Sequence, residues 1–462
     1  MNMKKRISFL LLIVFIFIAT LGANSVFRIA NARYPWIWNY LADEIHPEKD
    51  IPVKGPKHIM FAFTDHFEPH DQKTMNRWIK TYPAMAKRHW DADGKHPQHS
   101  FFWFFSHSNI TEKKSFLKQI SALAYKQYGE IELHMHHGND NEESFLKLMN
   151  QAIGLSHEVG AMITQETQPR STFGFIHGMW GLDNSRGPGD CGVNNELILL
   201  RKLGCYADFT NPSWGPMHPK MVNRFYYAMD DPEKPKSYDT GIPMEVGKPG
   251  VGDLFEFTGQ SIARLNGLRL QYDHGEIDRD NLPTNERIDR WVKKAVHVKG
   301  RPDWIFIKVF AHSAIAVDHE VVLGRWREGM HSYLEKKYDD GTNYVLHYVT
   351  AREAYNIAKA AEAGKSGNPN DFRDFVIKPY INRLMWISEP YEAISIESDK
   401  AVIKIPGGKK VKIRIRGKNV SVSGDADIQS IDEMNHETII KLSPKAGGII
   451  GISFKRLVST DR

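Results

Sequence analysis

The sequence predicts an α/β fold, a distorted barrel of seven or eight strand–helix units, with a small all-β domain after it and a membrane-anchor helix before it. Three observations predict this. Apolar runs of strand length alternate with segments of helical period across residues 57–365. From residue 374 to 462 the period changes to short alternating runs with Gly, Asn and Asp between them. Residues 7–27 form a nearly unbroken apolar stretch behind Lys4, Lys5 and Arg6. Strand–helix repetition implies a parallel sheet, and so many units imply closure rather than an open sheet.

The leading segment, residues 1–33, has the basic cap and apolar core that the export machinery reads. Its core is about long enough to cross a hydrocarbon layer of roughly 30 Å. Ala30-Asn31-Ala32 has an A-x-A cleavage pattern but sits far beyond that core, which favours a retained signal anchor over a cleaved signal peptide. The positive-inside rule keeps the three basic residues in the cytoplasm and sends the rest outside, membrane-anchored or secreted. Residues 34–56 are a Trp- and Pro-containing lead-in.

Strands are then predicted at His58–Thr64, Ser100–Ser106, Glu130–Leu133, Thr172–His177, Cys205–Thr210, Asp303–His312 and Tyr344–Val349. The first two are continuously apolar, as strands buried on both faces should be. Helices are predicted at Thr111–Tyr128, Glu142–His157, Asn195–Leu203, Thr284–Val298 and Val321–Lys336. A last helix opens on the capping box Thr350-Ala-Arg-Glu353 and ends at Gly364. Asn211–Thr258 has no clear period and is too long for a plain connection, so it reads as a lid or substrate wall, with Tyr226 and Tyr227 as contacts.

The chain has 462 residues, 41% hydrophobic and 25% charged, which is ordinary for a globular protein and excludes long-range disorder. A net charge of +6 is modest for this length and carries no nucleic-acid signature. In the C-terminal domain Lys410, Lys412, Arg414 and Arg416 alternate onto one strand face. That face is either a solvated edge that blocks aggregation or a contact for an anionic glycan or lipid. The two cysteines, Cys191 and Cys205, either pair outside the cytoplasm or are separate structural thiols.

Four polar clusters fall where predicted strands end: Thr64–His70, His134–Asp140, His177–Asn184 and His312-Ser313. Chemistry in such folds gathers at the carboxyl ends of the strands. His134 and His136 are two apart, so on an extended backbone they face one side and can share an ion. Imidazole with carboxylate suits zinc and related divalent cations.

In these segments the chain resembles the polysaccharide deacetylase family, the NodB-homology carbohydrate esterases. The family's T-F-D-D-G-P strand end is similar to Ala62-Phe-Thr-Asp-His-Phe-Glu-Pro69. Its next strand resembles Ser100-Phe-Phe-Trp-Phe-Phe105, and its H-E-I-G-x-H-T-x-x-H segment resembles Gly129–His136. The later strand ending in histidine resembles Phe306–His312. Only one acid, Asp65, stands where the family has two. It matches either the metal-binding acid, or the base with His66 then taking the metal position. The second family histidine falls on Gly138, so His136 or His137 substitutes, and the arginine–proline motif is replaced by His177–Asn184.

The resemblance implies a metal-dependent hydrolase that removes acyl groups, N-acetyl above all, from an extracytoplasmic polysaccharide. Asp65, His66, His134 and His136 would hold zinc, Asp65 or Glu68 would take the proton from water, and His312 would protonate the leaving group. His177, Trp180, Asp183 and Asn184 would bind the sugar. Two other readings stay open: glycosidic cleavage on the same barrel, and a non-catalytic carbohydrate-binding or assembly protein.

Overall fold

The computed structural model describes residues 33–45, 52–110, 114–166, 168–266, 269–434, 437–445 and 447–456. The segment read as a signal anchor lies outside the described residues. Among the described residues no helix is long and apolar enough to cross a membrane.

A mixed α/β body is built on one large sheet. Its strands are β1 (Lys57–Phe67), β2 (His99–Ser106), β3 (Gly129–His136), β4 (Phe173–His177), β5 (Cys205–Asp208), β6 (Tyr226–Ala228), β7 (Gly241–Pro243) and β8 (Leu254–Glu256). A separate hairpin, β9 (Ile262–Asn266) and β10 (Arg269–Asp273), precedes β11 (Trp304–Ala311) and β12 (Tyr344–Val349). The order in the sheet is β11-β1-β2-β3-β4-β5-β8-β6-β7, and β12 pairs with the first half of β1. From β11 to β8 the neighbours run parallel, and β6 runs antiparallel to β7 and β8.

The alternation of side chains sorts each central strand into two faces. On β1, Ile59, Phe61, Phe63 and Phe67 pack against helices Gln72–Ala86 and Arg325–Tyr338 in the main apolar cluster. Met60 and Ala62 point the other way, into a second cluster with Phe209, Phe257 and the alanine-rich helix Ala351–Glu362. The capping box opening that helix forms as predicted. On the side of β11 away from β1 the Gln260 side chain acts as a backbone surrogate, accepting from Lys308 N (3.1 Å) and donating to Lys308 O (3.0 Å).

Two features differ from the sequence reading. Asn211–Thr258 contributes β6 to β8 to the sheet, and Tyr226 and Tyr227 are buried there. Their hydroxyls donate to Tyr238 O (2.6 Å) and Glu362 Oε1 (2.7 Å), so they are packing residues rather than substrate contacts. A helix at Gln72–Ala86, capped by Asp71, was not predicted because Pro83 interrupts its pattern. Of the two alternatives for the cysteines, the separate thiols are observed: Cys191 and Cys205 are unpaired and buried.

The C-terminal residues form two four-stranded antiparallel sheets around one apolar cluster. The first contains β13 (Met385–Ile387); β14 (Glu392–Ile396) and β15 (Lys400–Lys404) belong to the second. The basic strand β16 (Val411–Ile415) pairs on both sides, with β13 and with β19 (Thr438–Pro444), so it is not an edge. β17 (Gly417–Gly424), β18 (Ala426–Glu433) and β20 (Ile449–Arg456) complete the pair of sheets. Arg414 meets Glu437, and Arg416 donates to Tyr125 O from over the Tyr125 ring. Arg416 thus ties the small domain to helix Lys114–Tyr125 directly, and Arg414 pairs within the domain with Glu437, which accepts from the Tyr125 hydroxyl.

Candidate metal centre

Side-chain parity builds the centre. Beyond Ala62 on β1, the same face carries Thr64, His66 and, one residue past the strand, Glu68. On β3 that face carries Glu130, Glu132, His134 and His136. Parallel pairing of β1, β2 and β3 brings the carboxyl ends of β1 and β3 to one rim. There His134 Nε2 lies 3.1 Å from Glu68 Oε1 and 3.0 Å from His136 Nε2, and His136 Nε2 is 3.4 Å from Glu68 Oε1. The His66 ring is 4.7 Å from that of His134, and donor atoms of His66, Glu68 and His134 all fall within 4.8 Å of one another. Gly178 helps position His136, because a β-carbon there would overlap its ring.

The donors suit a divalent cation. His134 Nδ1 donates to Ile176 O (3.0 Å), a group that can only accept, so its Nε2 presents a lone pair toward Glu68. Burial, with the neighbouring imidazoles of His312 and His134, holds His66 well below the usual histidine range. His134 is also lowered by burial, against the opposing pull of Glu68. Burial alone would raise the Glu68 carboxyl, but hydrogen bonds with His134 and His136 overcome it and hold the group ionised well below the usual range. Neutral imidazoles beside an ionised carboxylate are the protonation states metal ligation requires. Solvent reaches the group: the side chains of His136 and Glu68 are 29% and 18% exposed.

His312, just past β11, places its ring 4.6 Å from that of His66, tilted by 47°, with its side chain 26% exposed and Nδ1 3.8 Å from Glu276 Oε1. The Trp180 ring lies 6.2 Å from both the His66 and His312 rings and walls one side of the group.

Asp65 does not join these residues. As the neighbour of His66 on an extended strand it points through the sheet to the helical side, where it is fully buried. It accepts from Ser313 N (3.0 Å), the Ser313 hydroxyl and His99 Nε2 (3.0 Å), and Arg327 donates to His99 Nδ1 (3.1 Å). Burial raises its carboxyl to about 7, against those bonds and the Arg327 charge. Asp65 thus anchors the turn after β11 that carries His312 and stands apart from the group of His66, Glu68 and His134, contrary to its expected place as ligand or base.

The residues expected to bind sugar separate in the same way. Only Trp180 borders the cluster. His177 is fully buried on the helical side, its Nδ1 donating to Gly178 O (2.6 Å), and its ring lies 4.7 Å from that of His137. Asp183 is buried and accepts from Ser237 N (2.6 Å), while burial and the nearby Asp230 raise its carboxyl to about 8. Asn184 spans its own loop, donating to Asn194 Oδ1 (2.7 Å) and accepting from Gly192 N (3.1 Å).

Sequence reasoning missed Glu68 as a candidate ligand, although the signal was present: Glu68 shares the parity of His66, as His136 shares that of His134. No protein-family model, curated protein or solved structure matches this chain.

Proposed function

We propose that the chain is a metal-dependent hydrolase that removes acyl groups, N-acetyl first, from a polysaccharide outside the cytoplasm, on a barrel of the deacetylase type tethered by residues 7–27. The observation that carries this reading is the convergence of His66, Glu68, His134 and His136 on a solvent-reachable rim, with the His312 imidazole beside them. A divalent cation held by those four side chains supplies Lewis acidity toward water and the acyl carbonyl.

The chain's own residues supply the proton traffic. His312 takes the proton of the attacking water as the new C–O bond forms, then returns it to the amine or alcohol as the old bond breaks. Glu276, with Oε1 3.8 Å from Nδ1, faces the His312 ring and orients it. Trp180 offers a flat apolar face to a sugar ring and keeps water from that side. The order of motifs along the chain, resembling the deacetylases, is what points to a glycan and an acyl group rather than to another hydrolysable bond.

The test is acetate release from N-acetylated glycans by the full-length protein in detergent, before chelation, after it, and after zinc is restored. The reading expects release, loss and recovery. Reducing ends without acetate would replace it with glycosidic cleavage, and glycan binding indifferent to chelation would replace it with a non-catalytic role.

A further inference from the structure

We infer that the chain holds a second metal ion, a structural zinc bound by His137, His177, Cys191 and Glu196 on the helical side of the sheet. The four side chains come from separate segments: the residue after β3, the end of β4, the loop beyond it, and the first turn of helix Glu196–Lys202. Their donor atoms all lie within 4.8 Å of one another. The side chains of His137, His177 and Glu196 are 0% exposed, and Cys191 is fully buried. One sulfur, two nitrogens and one oxygen give four donors of the types zinc accepts, the number a closed tetrahedral site requires. With four protein donors and no solvent access, no position remains for a substrate, in contrast to the open rim where His136 and Glu68 lie.

Hydrogen bonding around the group already has the outer arrangement of a metal site. His137 Nδ1 faces Asp140 Oδ2 at 3.1 Å, which leaves Nε2 directed at Glu196 Oε1, also 3.1 Å away. Asp140 is itself held by the Ser144 hydroxyl (2.6 Å) and His107 Nε2 (2.9 Å). Glu196 Oε2 accepts from Asp183 N (2.6 Å). Carboxylate and carbonyl partners of this kind fix the tautomer and aim of ligating imidazoles.

The decisive atom is His177 Nε2. Its ring spends the Nδ1 proton on Gly178 O, so Nε2 carries a lone pair, and that buried nitrogen has no hydrogen-bond partner. It sits 3.6 Å from Glu196 Oε1, another electron-rich atom. A network of hydrogen bonds alone leaves this lone pair facing a carboxylate in a water-free pocket, which is unfavourable. A cation among the four atoms satisfies both.

The ion would cross-link β3 and β4 to the loop that carries Trp180. In that loop Met179, Trp180, Asp183 and Asn184 all take left-handed backbone conformations, with φ of 55, 53, 50 and 54°. Non-glycine residues persist there only when the surroundings over-determine them. The inference stands on these residues alone and does not depend on the hydrolase reading.

Cobalt(II) separates the two centres, because only this one contains a thiolate. The full-length protein in detergent, stripped and reloaded with cobalt(II), should show a thiolate-to-cobalt charge-transfer absorption in the near ultraviolet. Cys205→Ser and His134→Ala should keep the band; Cys191→Ser should lose it together with one equivalent of bound cobalt. If Cys191→Ser does not fold, the wild-type and Cys205→Ser spectra still decide. Cobalt bound without the band, a band that survives Cys191→Ser, or no cobalt retained at all would overturn the inference.

Discussion

Replacing Asp65 distinguishes the geometry of this chain from the motif it resembles. Its carboxylate accepts three hydrogen bonds in a site without solvent, from Ser313 N, the Ser313 hydroxyl and His99. Asp65→Ala leaves those donors without an acceptor, at about 1–3 kcal/mol for each unsatisfied buried group. Because they share one pocket the losses do not add fully, and a total of roughly 3–6 kcal/mol is expected. Asp65→Asn keeps an acceptor oxygen and the side-chain shape, and should cost about 1–2 kcal/mol, near one hydrogen bond. Urea unfolding followed by tryptophan fluorescence measures this, since Trp78 donates to Ser313 O and packs on His99. Metal content of each folded variant should match wild type, because Asp65 lies across the sheet from the donors. A folded Asp65→Asn protein with normal urea stability but one metal equivalent missing would refute the reasoning.

Other outcomes follow from the same contacts. His312→Asn should lower kcat for acyl release by roughly 100-fold or more, the usual worth of a general acid–base group, with metal content unchanged; steady-state kinetics with elemental analysis checks both. Arg352 is buried, pairs with Glu130 at 2.8 Å and also donates to Asp374 and Ile377 O, so Arg352→Met, which leaves Glu130 only Arg383 at 3.2 Å and the Thr350 hydroxyl, should cost about 3–5 kcal/mol in urea. Glu132 is raised by burial from 4.5 to about 8, while Gly174 N and the Tyr206 and Tyr380 hydroxyls donate to it. A raised acid binds its proton more tightly when folded, so its contribution is full below about 4.5 and is lost as pH rises through about 8. Glu132→Gln should therefore flatten the fall in melting temperature between those limits, and an unchanged pH slope would contradict that assignment.

Much of the α/β body was legible because buried parallel strands announce themselves as continuous apolar runs. His58–Thr64, Ser100–Ser106 and Tyr344–Val349 all fall inside or on observed strands, and Glu142–His157 matches its helix. The segment from Asn211 to Thr258 was not legible. Its strands are three residues long, too short to establish a period, and only the pairing of β8 with β5, and of β6 with β8 and β7, reveals them. The edge reading of β16 failed because alternation reports which face a residue takes, not how many neighbours its strand has. In the site, the rule that joined His134 to His136 also separates Asp65 from His66 and joins His66 to Glu68. Matching by motif grouped Asp65 with the histidines; strand parity groups Glu68 with them instead. The grouping of His137, His177, Cys191 and Glu196 depends on the pairing of β3 with β4 and on a long loop folding back, which no local spacing encodes.

The most direct test of the central claim is an anomalous-difference map from crystals of the protein grown with zinc, recorded on either side of the zinc absorption edge. The account predicts a peak bounded by His66, Glu68, His134 and His136, with His312 beside it and Asp65 on the far face of the sheet. A map in which those imidazoles hydrogen-bond only to one another, or in which zinc sits against Asp65, would contradict it.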